Sequence, residues 1–231
     1  TGATSGIGKA TAEVFAKQGH RLIICGRRKE VLDNLQIQLS NFTDVYSLVF
    51  DVRNQQEVQN AINSLPEEWK NIDVLVNNAG NAHGLEPISD ANISDWDAMM
   101  DGNVKGLLYV SQPIIKLMKA NNSGHIVNIS SVAARQTYAN GTVYCASKKA
   151  VDVISEGMRL ELTEFGIKVT NVQPGAVETD FSKVRFKGDE ERAATVYAGY
   201  EPLIAEDIAD AISYCVNAPD RVSIAEICIY P

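Results

Sequence analysis

The chain opens Thr1-Gly2-Ala3-Thr4-Ser5-Gly6-Ile7-Gly8, and the reading of this stretch decides the fold. Gly2, Gly6 and Gly8, with Ser5 and Ile7 between them, let a backbone turn tightly and approach a bulky anion. Ile7, Ala10 and Val14 then recur at helical spacing, so a helix leaves the turn with the positive end of its dipole facing that anion. A pyrophosphate suits both features, although the glycine spacing differs from the commonest dinucleotide fingerprint. Such a turn normally follows a strand, so a first strand is expected ahead of Thr1, and room is left for a tail beyond Pro231.

Outward from the turn, branched apolar runs recur: Leu22 to Cys25, Val45 to Phe50, Val74 to Val76, Ile126 to Ile129, Val169 to Val172 and Ile227 to Ile229. Helical patterns alternate with them, as in Leu32, Leu35, Leu39 and in Val58, Ala61, Ile62, Leu65. One helix is expected to start after Ser94 and to carry Trp96, Met99, Met100, Asn103, Val104, Leu107 and Leu108; another carries Ile208, Ala211, Ile212 and Cys215. Alternation of this kind predicts an α/β fold, a Rossmann-like doubly wound parallel sheet with flanking helices. A single domain is expected over residues 1–231, with no internal repeat or linker. The least regular stretch, 177–200, is rich in charge (Lys183, Arg185, Lys187, Asp189, Glu190, Glu191, Arg192) and reads as a lid over a ligand site.

A net charge of -8 removes the basic footprint that nucleic acid or an anionic membrane requires, and leaves small molecules as the expected partners. No apolar run approaches the roughly 18 residues of a membrane span. Cys25, Cys145, Cys215 and Cys228 show no paired spacing and read as reduced; with His20, His83 and His125 they form no ligand pattern, so no metal is expected.

The chemistry sits where the branched runs end. Cys25-Gly26-Arg27-Arg28 closes the run about 20 residues after the turn, where an acid would hold the ribose of NAD. Two guanidiniums stand there instead, and these suit a 2′-phosphate, so NADP (NADPH) is the expected cofactor. Asp51-Val52 ends the next run, where a carboxylate can accept from an adenine amino group, and Asn77-Asn78-Ala79-Gly80 ends the one after. Ser131 ends the following run and precedes Tyr144 by thirteen residues; Lys148 lies one helical turn beyond Tyr144, on the same face, where its charge lowers the cost of a phenolate. A serine donor, a phenol and an amine in one pocket make a general acid/base centre.

With these motifs in place the chain resembles the short-chain dehydrogenase/reductase family along nearly its whole length. The resemblance implies Asn103, Ser131, Tyr144 and Lys148 as catalytic residues. It implies cofactor contacts from the opening turn, Asp51 and the Asn78 to Gly80 run, from Tyr144 and Lys148, and from Pro174-Gly175, Val177 and Thr179, the last two at the nicotinamide carboxamide. Asn103 is expected to position a water that relays protons from Lys148. Within the family, Gly26-Arg27-Arg28, Ala134-Arg135 with Tyr138, and the 177–188 segment are similar to the NADP-dependent 3-hydroxy acid (serine/allo-threonine) dehydrogenases. That group implies a cytoplasmic homotetramer acting on serine, allo-threonine, 3-hydroxyisobutyrate or 3-hydroxypropionate. The alternative is a carbonyl/ketone or 3-oxoacyl reductase. A short hydroxy acid needs a partner for its carboxylate, and Arg185, then Arg135, are the candidates alongside Ser131 for substrate binding.

Overall fold

The branched runs become strands and the periodic segments become helices in a computed structural model that describes residues 1–197 and 199–231. The strands are β1 (Leu22–Gly26), β2 (Val45–Val49), β3 (Val74–Asn77), β4 (Gly124–Ile129), β5 (Ile167–Pro174) and β6 (Glu226–Ile229). The helices are α1 (Gly6–Lys17), α2 (Lys29–Leu39), α3 (Gln55–Asn63), α4 (Ile93–Met100), α5 (Gly106–Asn121), α6 (Thr142–Leu162), α7 (Phe181–Arg185), α8 (Glu190–Thr195) and α9 (Ala205–Val216).

All strand pairs are parallel: β1 with β2, and β3-β4-β5-β6 in that order. Residues Thr1 to Ala3 run between the two groups, Ala3 N donating to Cys25 O (3.0 Å) and Thr1 N to Val76 O (2.9 Å). Helices cover both faces, which explains why the strands read as continuous apolar runs rather than as alternation. Neighbours Ile126 and Val127 of β4 point to opposite sides: Ile126 packs with Leu107, Ile114 and Met118 of α5 and Val151 of α6, Val127 with Phe15 of α1 and Ile208 and Ile212 of α9. Each such side chain contributes roughly 1.5–3 kcal/mol on burial, more than local propensity gives or takes.

Two expectations change here. The single helix after Ser94 is broken by a π-helical turn over Asp101–Lys105, which turns Asn103 inward, 2% exposed, between α4 and α5. The 177–200 stretch is not irregular throughout: it holds α7 and α8, and its ends are clasped by Glu178 N to Leu203 O (2.7 Å) and Leu203 N to Ala176 O (3.0 Å). Ala198, within that stretch, lies outside the described residues.

His125 of β4 carries a pH-dependent share of the stability. Thr170 Oγ1 gives its only hydrogen to Ile224 O (2.6 Å), so the 2.8 Å contact between Thr170 Oγ1 and His125 Nε2 requires the imidazole to donate. Burial, with Lys168 nearby, pushes the imidazole down to about 4. The unfolded chain therefore takes up this proton first as pH falls through ~6.5, and stability drops until pH reaches about 4. Chemical denaturation of wild type and His125→Asn at pH 7 and pH 4 should show the wild type's relative stability falling by about 3 kcal/mol; a constant difference would refute the assignment.

Candidate active site

Every strand from β1 to β5 ends at one cleft, lined by the opening turn and by Gly26, Arg27, Asp51, Asn78, Gly80, Ser131 and Gly175 among others. The carboxyl edge of a parallel sheet, at the point where chain order reverses, is where such folds place a ligand. Gly2 (φ +68°) and Gly6 (φ +50°) hold the turn in the left-handed region that favours glycine. A Cβ on Gly2 would sit 2.8 Å from Asn78 Nδ2, and one on Gly8 would overlap both that nitrogen and Gly2 O. Asn78 Nδ2 donates to Thr1 O (2.9 Å), so the asparagine braces the turn from behind. The result is a bare backbone cradle at the N-terminus of the twelve-residue α1, which fits a pyrophosphate.

At one end of the cleft three guanidiniums gather. Arg28, at its rim, donates to Thr4 Oγ1 (2.8 Å), Thr4 O (3.1 Å) and Ser5 Oγ (3.1 Å), tying the end of β1 to the turn. Arg27 lies 3.7 Å from Asp51, and Arg53, which sequence reasoning missed, grips Asp51 at 2.6–3.0 Å. Burial pushes the Asp51 carboxyl up, but the Arg53 bonds and charge, with Arg27, outweigh it and hold the group below its ordinary range. This end suits an adenosine carrying an extra phosphate. Val52 lines the wall here and packs on Gly106, where a Cβ would meet it at 2.8 Å.

At the other end stand Ser131, Tyr144, Lys148 and Asn103. Lys148, 6% exposed, turns its ammonium to Ile129 O (2.9 Å) and lies 6.0 Å from the Tyr144 ring. Burial pushes it down to about 8, against the pull of Asp152. Burial likewise pushes the Tyr144 phenol above its ordinary value, and the Ser131 hydroxyl and Arg185 draw it back only in part. The expectation that Lys148 lowers the phenol is therefore not what the protein atoms alone do: the ammonium is engaged by a backbone carbonyl, and Arg185, 5.5 Å from the ring, is the nearer cation. Asn103 donates from Nδ2 to Asn81 O (2.8 Å) and Ser147 Oγ (3.0 Å) and accepts from Asn81 N (2.7 Å). Both amide hydrogens are spent on bracing the loop against α6, which leaves one lone pair on Oδ1 for a water. A Cβ on Gly80 would lie 2.8 Å from that oxygen, so the glycine keeps the space open. Asn77 takes a structural role, donating to Ser111 Oγ (2.8 Å) and Asn128 Oδ1 (2.9 Å) inside the core.

The two candidate carboxylate partners part company. Arg135 is not brought to the cleft: its guanidinium pairs with Glu226 and Gln173 at the ends of β6 and β5, because the helical turn after Ser131 carries it to the far side. Arg185 comes in. It donates from Nε to Gly84 O (3.1 Å) and from Nη2 to Tyr138 OH (2.9 Å), and lines a small cavity with Tyr144, His83, Glu86, Asp95 and Trp96. Sequence reasoning missed Asn81 and Glu86, since the segment between β3 and α4 has no periodicity to read, and also Asp95 of α4 and Phe181 of α7, whose ring lies 5.8 Å from that of Tyr144. Pro174, Gly175, Val177 and Thr179 line the wall opposite, with the Thr179 methyl against Gly6.

The pattern of the short chain dehydrogenases matches residues 1–190. The NADP-dependent 3-hydroxy acid dehydrogenase YdfG of Salmonella typhi is 42% identical over 100% of this chain and 93% of its own length. Sulfoacetaldehyde reductase 2 of Chromohalobacter salexigens is 40% identical over 100% of this chain and 92% of its own. Among solved structures, the closed form of a serine dehydrogenase complexed with NADP+ superposes with a TM-score of 0.95 at 41% identity, covering 100% of this chain and 92% of that one. Cradle, acid/base cluster and relatives agree: this chain belongs to the short-chain dehydrogenase family of oxidoreductases.

Proposed function

We propose that this protein is an NADP-dependent dehydrogenase of short 3-hydroxy acids, with Tyr144 as acid/base, Ser131 as the donor to the reacting oxygen, and Arg185 as the carboxylate partner. The observation that carries the substrate class is Arg185. Among the described residues its Nε and one Nη2 hydrogen are spent on Gly84 and Tyr138, which leaves the outer Nη1/Nη2 edge for two parallel bonds to a carboxylate beside the Tyr144 phenol.

When bound, the cofactor supplies the carbon that accepts or returns hydride. The chain's own residues do the rest. The turn, Asn78, Ala79 and Gly80 hold its phosphates and ribose, Arg27 and Arg28 its 2′-phosphate, Asp51 and Val52 its adenine, and Val177 and Thr179 its carboxamide. Ser131 Oγ accepts from Ala133 N (3.1 Å) and donates to Pro174 O only across 3.4 Å, a long contact that its hydrogen exchanges for the substrate oxygen. Tyr144 Oη takes the hydroxyl proton in oxidation and gives it back in reduction, and Lys148 holds the nicotinamide ribose. Phe181 and the lid keep bulk water from the phenol.

A homotetramer in the cytoplasm completes this reading. Val153 and Leu160, both exposed at one heptad's spacing on α6, support a subunit contact there. No helix among the described residues is long and apolar enough to cross a membrane.

The test is a spectrophotometric panel of serine, allo-threonine, 3-hydroxyisobutyrate and 3-hydroxypropionate with NADP+ and NAD+, with sulfoacetaldehyde and neutral ketones in reduction. Arg185→Ala is expected to cut kcat/KM for the hydroxy acids by about 10²-fold with NADP+ affinity kept. Unchanged kinetics would remove the carboxylate role, and faster turnover with NAD+ would remove the role of Arg27 and Arg28.

A further inference from the structure

Arg185 is fixed by more than its own element. Gly84 N donates to Arg185 O (3.0 Å) and Gly84 O accepts from Arg185 Nε (3.1 Å), so one glycine between β3 and α4 grips both backbone and side chain. Two further ion pairs close the same seam: Lys187 with Asp95 (2.9 Å) and Arg192 with Glu86 (3.5 Å). The guanidinium then lies between two rings, 5.5 Å from Tyr138 and 5.5 Å from Tyr144, with the Tyr138 hydroxyl bonded to Nη2. Lys148, on the helix of Tyr144 itself, faces Ile129 O instead.

We propose that Tyr138 is a positioning residue that holds Arg185 over the Tyr144 ring, so that the docked lid supplies the base with a positive charge. The inference rests on Tyr144 being the base, and not on the identity of the substrate. A unit charge about 6 Å away across a partly screened site moves a phenol by about one unit, which is enough to decide how much of it is phenolate. The other groups facing the phenol are Ser131 from the end of β4, Tyr138, whose own phenol pushes that of Tyr144 up, and Cys145 and Lys148 from α6, and across the small cavity stand His83, Glu86 and Asp95. Glu86 and Asp95 are the pairing partners of Arg192 and Lys187, which leaves Arg185, from the lid, and Lys148, 6.0 Å away on α6, as the cations beside the ring. Docking the lid and arming the base thereby become one event, since the residues that pin Arg185 are the loop and the tyrosine it meets on closing.

The test needs no substrate. In protein labelled with [13C]tyrosine and saturated with NADP+, the Tyr144 Cζ resonance, identified by its loss in Tyr144→Phe, is titrated in wild type, Tyr138→Phe, Arg185→Ala and Arg185→Lys. The midpoint should rise by about half a unit in Tyr138→Phe and by about one unit in Arg185→Ala, with Arg185→Lys recovering part of the shift. Identical midpoints in all four proteins, or no ionisation of Tyr144 in the wild type, would overturn the proposal. Failure of the substrate panel with these shifts present would remove the hydroxy acid reading and leave this one standing.

Discussion

Tyr144→Phe will lower turnover by about 10³- to 10⁴-fold while NADP+ affinity changes no more than a few-fold. The substitution removes one oxygen. The ring that remains still packs against Phe181 at 5.8 Å, and the cradle that holds the phosphates is built from Gly2, Gly6, Gly8 and Asn78, none of which touches the phenol. What disappears is the proposed proton acceptor of oxidation, and Ser131 cannot replace it, because a serine hydroxyl has no accessible anionic form near neutral pH. The phenol is buried and its burial disfavours the charged form, so its loss should leave the fold intact or slightly firmer. Steady-state rates read at the reduced nicotinamide band, together with NADPH fluorescence titration, check both halves. Retention of more than about a tenth of wild-type turnover would show that Tyr144 is not the base.

The parts of this site legible in the sequence are those written by short-range pattern. The turn from Thr1 to Gly8 declares itself because Gly2 and Gly6 need positive φ and Gly8 has no room for a side chain. The six strands follow from branched runs, since a sheet covered on both faces must be apolar at successive positions. Tyr144 and Lys148 share a helix face by spacing alone. Other features depend on partners far away in the chain. Arg135 and Arg185 look equivalent as isolated guanidiniums; one meets Glu226, 91 residues on, and the other meets Gly84, 101 residues back. The π turn at Asn103 breaks the helical phase in a way that the apolar stripe from Trp96 to Leu108 does not announce, although Gly102 and Asn103 interrupt it. The direction in which Lys148 points was equally hidden, because the carbonyl that captures it belongs to β4.

Lys148→Met should move activity and stability in opposite directions, a larger contrast than any other single change in the site. Turnover is expected to fall by about 10²- to 10³-fold, the range for losing one positioned donor in the site, here the group proposed to hold the nicotinamide ribose. Stability is expected to rise by about 1–2 kcal/mol at pH 7, from the following balance. Burial pushes Lys148 down to about 8, whereas the unfolded lysine titrates near ~10.4. Below pH 8 the folded protein holds the ammonium in a site that disfavours it, at a cost of about 3 kcal/mol relative to a neutral side chain. The hydrogen bond to Ile129 O, worth about 1 kcal/mol, is forfeited in the variant and reduces the gain. Between pH 8 and pH 10.4 the unfolded chain binds the proton and the folded one does not, so wild-type stability climbs with pH and the advantage of methionine vanishes by the upper limit. Urea denaturation of both proteins at pH 7 and at pH 10 tests this directly. A variant that is less stable at both pH values would mean that the ammonium is held by interactions strong enough to cancel its burial, and the depressed titration would have to be abandoned. A variant more stable at pH 7 and equal at pH 10 would place Lys148, buried beside Gly80, among residues kept for function at the expense of the fold.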